Sequence, residues 1–404
     1  MSSNWAKAYA DRGLQRLNKY AIPPNRANSV IHFDAETVKN DAAQARLLVH
    51  SRFPQLIERF LAHKRRRGTA KEKLLYANMT VGQEIARLFR NRPQAFVNST
   101  DDTVLRDGLA INNAAALWDA VGTAHEGKIR LDEYLSYDEI MLSSFIGCSG
   151  PSFFINDGDR YNSARPGKPG TFETRGIIAG LVGARFERPG HMDYRVVHHR
   201  GPRADSELTE MILEFLGVKN KVSEGFDYEV YTARMKIPII LLLSEAQLRA
   251  QAVSPTKKAY VHIVGLGLGV WQIDRQQADG YMQAWFEVLK EYGRALPNVG
   301  VLDFAYIDVD NYWKERVKSI ARKHGIQSRV SKRNPAAKLE GEDADHLLVV
   351  SYAWDGNSYP GNEYWMSSLT ASGDPAAAAM STIAEIHNPE TNPQIWQSYE
   401  NHFS

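Results

Sequence analysis

Residues 260–272 read YVHIVGLGLGVWQ, and residues 299–313 read VGVLDFAYIDVDNYW. The run Val261–Val264 is short, apolar and β-branched, as suits a buried strand. Gly265, Gly267 and Gly269 follow at once, and three alternating glycines let the backbone approach another group closely and turn N–H donors outward. Asp274 and Gln277 stand where a capping box opens a helix. Ala278, Met282, Trp285, Leu289, Tyr292 and Leu296 then recur at helical spacing, and Pro297–Asn298 ends the pattern. Val299–Ile307 is a second buried strand, which delivers Asp308 and Asp310 beyond its end. Strand, glycine loop, helix and strand make a βαβ unit, so the two strands are expected to be parallel, with a ligand at their carboxyl ends.

Working outward, Leu347–Ala353 is another buried strand and runs straight into WDGNSYPGNEYW, residues 354–365. If it shares the same sheet, three loops converge at one edge: Gly265–Trp271, Asp308–Trp313 and Trp354–Trp365. Together they carry glycine N–H groups, the acids Asp308, Asp310, Asp355 and Glu363, the amides Asn357 and Asn362, and several rings. Glycines ahead of a helix suit a diphosphate, rings suit a base, and acids suit ribose hydroxyls or acid/base work on a glycosidic bond. Each piece has a plainer reading. A GxGxG turn often serves only helix–sheet packing, Asp308 and Asp310 fit helix caps, and Asp355-Gly356 and Pro360-Gly361 fit turns. Asp303, inside an apolar strand, reads as a structural carboxylate. The basic run Lys64–Arg67 reads as a solvated helix end before it reads as a phosphate site, and His198-His199 reads as an exposed pair before it reads as a metal site.

Residues 1–125 look helical, with amphipathic stretches over Asp41–His63 and Glu72–Phe89, and the domain split is placed at 1–125 and 126–404. Gly176–Phe186 reads as a glycine-broken strand, Ser206–Leu216 as a helix, Tyr228–Thr232 as a short strand, and Ser244 as a helix cap. A helix is expected to run to about His324, Ser328–Glu342 to be a surface loop, and Ala376–Ile386 to be one helix.

The chain has 404 residues, 43% hydrophobic and 24% charged, with a net charge of +2. That composition fits a globular protein with an adequate core and carries no bias toward nucleic acid or anionic lipid. The single cysteine, Cys148, excludes an intramolecular disulfide framework and any multi-cysteine metal site, and fits a reducing compartment. No apolar run is long enough to span a bilayer. The expectation is a cytosolic protein, or one delivered into a host cytosol. No HExxH, GxSxG or Walker sequence is present.

The glycine turn, the helix and the strand ending in acids and Tyr312 resemble the second half of a macrodomain, and the layout also resembles the poly(ADP-ribose) glycohydrolase branch. A match over more of the chain comes from SYDEIMLSSFIGCSGPSFFINDGDRYN (136–162), RGIIAGLVGARFERPGHMDY (175–194) and SYAWDGNSYPGNEYW (351–365). These are similar to the MavL effector family, a macrodomain-like α/β fold extended by helices and associated with removing ADP-ribose from ubiquitin. The resemblance implies a mixed sheet flanked by helices and an ADP-ribosyl hydrolase. Nothing in the sequence calls for a cofactor or a metal, although a cluster of acids could accept Mg²⁺. The resemblance places ligand contacts at Gly265, Gly267, Leu268, Gly269, Val270, Trp271, Tyr312, Trp313, Asn357 and Asn362, and catalysis at Asp308, Asp310, Asp355 and Glu363. The implied partners are ADP-ribose or an ADP-ribosylated protein, with ubiquitin one candidate. Two competing readings are a non-catalytic ADP-ribose-binding module and a nicotinamide-dependent oxidoreductase. Against the second, Val270 stands where the third fingerprint glycine belongs, and no acidic strand end follows about twenty residues on.

Overall fold

The computed structural model describes residues 2–15, 26–199, 206–219, 225–370 and 373–400. Seven strands form one mixed sheet: β1 (Arg46–Leu48), β2 (Gly147–Phe153), β3 (Arg175–Leu181), β4 (Ala259–Ile263), β5 (Val299–Ala305), β6 (Gln327–Ser331) and β7 (Leu347–Ala353). Their spatial order is β1-β2-β3-β7-β4-β5-β6. The five strands from β3 to β6 in that order are mutually parallel, and β1 and β2 add antiparallel pairings at one side. The fold is α/β, as the βαβ reading requires, and β4, β5 and β7 lie side by side. Strands β4 and β5 are buried at every position, which explains why they read as continuous apolar runs rather than alternating ones.

The named helices are α1 (Phe53–Arg67), α2 (Val81–Arg90), α3 (Tyr137–Ser143), α4 (Tyr228–Val253), α5 (Gln276–Tyr292), α6 (Asn311–Lys323), α7 (Asn362–Trp365) and α8 (Gly373–Met380). The crossovers β4–α5–β5 and β5–α6–β6 follow the parallel rule and place α5 against α4 and α6. The helix Ala35–Gln44, α8 and Ile383–Ile386 pack against β2 and β7.

Several local expectations are corrected. Tyr228–Thr232 is not a strand and Ser244 does not cap a helix. Both lie inside α4, which runs 26 residues from its Asp227 cap straight through Pro238. This helix is buried nearly all round, so it shows no apolar stripe, and burial outweighs the one backbone bond that proline removes. Residues 328–331 of the expected loop belong to the edge strand β6, in which no position is buried and four of the five side chains are polar. The amino-terminal part is not all helical. Arg46–Leu48 joins the main sheet, and Ala95–Val97, Asp102–Val104 and Ala110–Ile111 make a small antiparallel sheet. Turns with Asn98 and Asp101 at positive φ separate those short strands. Glu72–Phe89 is two helices, broken before the Thr80 capping box, and Ala376–Ile386 is divided between α8 and a one-turn helix at Ile383–Ile386. No helix among the described residues is long and apolar enough to cross a membrane.

Candidate active site

Three loops leave the carboxyl ends of β4, β5 and β7 at one edge of the sheet, and the loop after β3 joins them. Trp354 continues the β7–β3 ladder by donating its N–H to Leu181 O (2.9 Å). Immediately after it, Asp355 folds the chain into a tight turn. Its Oδ1 accepts from the N–H groups of Asn357 (3.0 Å) and Ser358 (3.1 Å), and its Oδ2 accepts from Ser358 Oγ (2.5 Å). Gly356 occupies the left-handed region at φ 74, where a Cβ would lie 2.8 Å from the Val182 side chain. The turn therefore requires glycine on two grounds, conformation and space.

Beyond this turn, Gly361 leads into α7, which carries Glu363, and α8 begins nearby with Asp374. Asp355, Glu363 and Asp374 form one acidic cluster. Burial, and then the charge on Asp355, push Glu363 up to about 8. Burial followed by the charges of Glu363 and Asp355 pushes Asp374 well above the ordinary carboxylate value. One Asp374 carboxyl oxygen, Oδ1, is buried without a hydrogen-bond partner, as are Asn357 Oδ1 and Trp271 Nε1. Environments that separate the proton affinities of neighbouring carboxyls are those that assign acid and base roles. Asp355 is tied to three donors in its own turn, and its charge acts on both other acids.

Arg185 lies close to Asp355, and its charge also acts on Asp374. Arg185, from the loop after β3, donates to Asp355 O, pairs with Glu187, and comes within 4.0 Å of Asp355 Oδ1. Its backbone N–H is held by Asp193 (2.7 Å), which in turn pairs with the buried Arg234 of α4 (3.0 Å). The Arg185 guanidinium also lies 5.0 Å from the centre of the Trp271 ring, which ties this loop to the glycine loop.

The three glycines have different tasks. Gly267 is at φ 71, and a Cβ there would sit 2.9 Å from Ala184 O; a Cβ on Gly183 would meet Gly267 N at 2.6 Å. That glycine pair lets the loops after β3 and β4 touch backbone to backbone, which is the packing role considered for the motif. Gly269 has open space around it, and with Val270 it is exposed. The N–H groups of Gly269, Val270 and Trp271 have no acceptor among the described residues, so donors point outward ahead of α5. Gln277 closes the loop by accepting from the Ile273 (2.6 Å) and Asp274 (2.9 Å) N–H groups. The helix nevertheless starts at Gln276 with Arg275 at the cap, one step later than a capping box on Asp274 requires.

The remaining sequence-derived residues are distributed around this edge. Asp308 and Asp310 do not extend a strand, because β5 ends at Ala305. Both are exposed, and Asp310 caps α6 by accepting from Tyr312 N–H (2.7 Å). With β4 between β5 and β7, their loop starts roughly 10 Å from the Asp355 loop, across the glycine loop. Tyr312 is exposed and offers a ring next to Trp313, with Arg316 donating to its hydroxyl (2.9 Å). Trp271 is buried, so its ring packs rather than projects. Leu268 is half-buried, and Asn357 and Asn362 are buried beside the acids. Asp303 is structural, buried and bonded by Tyr260 OH (2.8 Å). Lys64 and Arg66 are consumed by Glu72, Asp138 and Glu207. No group of three His, Cys, Asp or Glu side chains among the described residues is arranged to hold a metal ion. A cavity of about 700 Å³ lies elsewhere, beside β1 between α4 and the end of α5, lined by Arg46, His50, Leu248 and Tyr292; none of the acids reaches it.

Sequence reasoning missed Asp374, Arg185 and Arg92. Asp374 precedes Pro375 at a helix start, a pattern that reads as a cap. The two arginines had no local signal at all, because their partners are about 170 and 260 residues away.

The family model described as MavL-like ADP-ribosylhydrolase matches residues 13–200 and 203–404. Two Drosophila melanogaster proteins are similar along almost the whole chain. ADP-ribosylarginine hydrolase CG2909 is 33% identical over 95% of this chain and 82% of its own length. ADP-ribosylarginine hydrolase CG3568 is 34% identical over 95% and 81%. The chain belongs to the MavL-like ADP-ribosylhydrolase family.

Proposed function

We propose that the protein hydrolyses the N-glycosidic bond between ADP-ribose and an arginine side chain of a modified protein. The observation that carries the reading is the Asp355–Glu363–Asp374 cluster beside the outward N–H groups of Gly269–Trp271. In this reading the glycine-loop amides at the start of α5 take the diphosphate, and the exposed Tyr312 ring takes the adenine. That grip fixes the anomeric carbon over the acids, and positioning of this kind supplies much of the rate.

The chemistry follows from the protonation pattern. Glu363, raised by burial and by Asp355, holds a proton at neutral pH and stands ready to deliver it to the departing guanidine nitrogen. As the C1″–N bond breaks, positive charge develops on the ribose carbon, and the Asp355 carboxylate, whose charge acts on both other acids, faces it. Asp355 also takes the proton from the incoming water, whose oxygen forms the new bond to C1″, while Asp374, held protonated by burial and its neighbours, donates a hydrogen bond to the ribose. The products are ADP-ribose and the free arginine side chain, and the two protons balance between Glu363 and Asp355. Asp308 and Asp310, exposed on the far side of the glycine loop, are assigned to the adenosine end of the ligand or to the carrier protein. The arginine linkage is supported by the names of the two fly relatives. Ubiquitin is one carrier to test, on the strength of the family resemblance.

The test is a panel of ADP-ribosylated peptides that differ only in the linking residue. The reading expects release of free ADP-ribose from the arginine-linked peptide, and little from serine- or glutamate-linked ones. Tight binding of ADP-ribose without release from any peptide would favour the binding-module alternative.

A further inference from the structure

We propose that Arg92, a buried residue of the amino-terminal region, is a positioning residue for the reaction: it braces the Asp355–Ser358 turn from behind and holds its acid in register with Glu363 and Asp374. The inference rests on the acid-cluster reading above and adds a part to it from outside the catalytic loops.

Arg92 follows α2 and is fully buried. Its Nη1 donates to Gly356 O (2.5 Å), its Nη2 to Ser143 O (3.2 Å) and its Nε to Leu88 O (2.8 Å). The guanidinium carbon lies 4.0 Å from the centre of the Trp354 ring, so the cation is stacked on the residue that begins the acid loop. Ser143, at the end of α3, donates its Oγ to the same Gly356 carbonyl (3.2 Å). The neighbouring residues continue the grip. Pro93 O accepts from Tyr359 N–H (3.1 Å), and Tyr359 OH donates to Arg90 O (3.1 Å). The segment Arg90–Pro93 therefore holds the turn at Trp354, Gly356 and Tyr359.

Packing alone does not explain an arginine here. A buried cation is unfavourable unless its charge is compensated, and no carboxylate among the described residues forms an ion pair with Arg92. Its partners are three carbonyls and two aromatic faces, Trp354 (4.0 Å) and Phe89 (5.7 Å). The acid whose charge most favours the Arg92 cation is Asp355, while Arg185 opposes it. The arrangement thus couples the Arg92 charge to Asp355. The held turn is also the one that needs holding, since Gly356 sits at positive φ against Val182. A shift of the turn displaces the Asp355 carboxylate relative to both other acids.

Three variants test this: Arg92→Lys, which keeps charge without the fork or the flat stack; Arg92→Met, which keeps bulk without charge; and Ser143→Ala, which removes the second donor to Gly356 O together with the hydroxyl's bond to Ile140 O (2.8 Å) at the end of α3. Each is assayed for thermal midpoint, ADP-ribose affinity, and kcat and KM across pH on the arginine-linked substrate. Displacements on the order of an ångström cost about a hundredfold in rate, so Arg92→Lys and Arg92→Met are expected to lower kcat by roughly ten- to a hundredfold with KM little changed. Ser143→Ala is expected to lose a few-fold. The groups facing Asp355 are Arg92, Arg185, Glu363 and Asp374, with Glu187 on Arg185. Removing the Arg92 charge is therefore expected to move the alkaline limb of kcat to higher pH in Arg92→Met and not in Arg92→Lys. Normal kcat and an unmoved pH profile in the folded Arg92 variants would overturn the proposal, even with a lowered thermal midpoint. If the Arg92 variants do not fold, unchanged kcat in Ser143→Ala overturns it. Failure of the underlying reading looks different: the wild-type protein does not release ADP-ribose, or loss of Glu363 has no effect.

Discussion

Replacing Asp355 with asparagine isolates its charge while keeping the turn. Asparagine Oδ1 can still accept from the Asn357 and Ser358 N–H groups, so the loop retains two of its three internal bonds. What disappears is the negative charge that, after burial, is the second cause of the raised Glu363 proton affinity. A neighbouring charge moves a carboxyl by roughly one to three pH units. Burial is the larger cause of the rise to about 8, so Asp355 is expected to account for the low end of that range, about one pH unit. The sign is fixed: Glu363 acts as a protonated acid, removing a neighbouring anion makes it ionise more readily, and the alkaline limb of kcat moves to lower pH. The assay is ADP-ribose release from an arginine-linked peptide at saturating substrate between pH 5.5 and 9.5. An alkaline limb that stays in place, or moves upward, refutes the assignment of that limb to a Glu363 coupled to Asp355.

Other consequences follow from the same geometry. Gly267→Val forces a β-branched residue to φ 71 and into Ala184 O, so it is expected to lower stability by at least roughly 1–2 kcal/mol in a denaturant titration. Gly269→Val, in open space, is expected to leave stability unchanged and weaken ADP-ribose binding by calorimetry; equal effects of the two variants would remove the distinction between packing and ligand glycines. Glu363→Gln has a stability signature opposite in sign to the usual paired carboxylate. Because folding raises the Glu363 value from 4.5 to about 8, its stabilising contribution is full below 4.5 and is lost as pH rises through 8. The glutamine variant is therefore expected to melt like wild type at pH 5 and above it at pH 9. Asp310→Asn preserves the cap on α6, since asparagine caps comparably, so it and Asp308→Asn are expected to change ADP-ribose affinity more than the rate of the chemical step; a hundredfold loss of kcat with normal affinity would move catalysis to that loop.

The architecture was legible where the chain states it locally. The run Tyr260–Ala305 contains two buried strands, a glycine turn and a helix with a clean period, and the structure reproduces that unit with parallel pairing. The strand Leu347–Ala353 was equally plain, and its placement beside β4 brings the loops together. Elements with divided allegiance were not legible. Helix α4 hides its period because it is buried on all sides, and proline inside it invites a break. Edge strand β6 is half-exposed and charged, and so resembles a loop. The site divides in the same way. Asp355 and Glu363 were visible as acids in a turn-rich loop. Asp374 resembles a helix cap, and the arginines behind Asp355 acquire meaning only when chain segments far apart in sequence meet.

The account's central claim is that Glu363 and Asp355 perform the bond-breaking step as acid and base on a ligand held by other groups. Single-turnover release of ADP-ribose from an arginine-linked peptide, measured on Glu363→Gln and Asp355→Asn alongside the free ADP-ribose affinity of each, tests it most directly. Both variants are predicted to bind ADP-ribose within a few-fold of wild type and to release it about a hundredfold or more slowly, the scale of lost acid/base assistance. Release at the wild-type rate from both variants would contradict the claim.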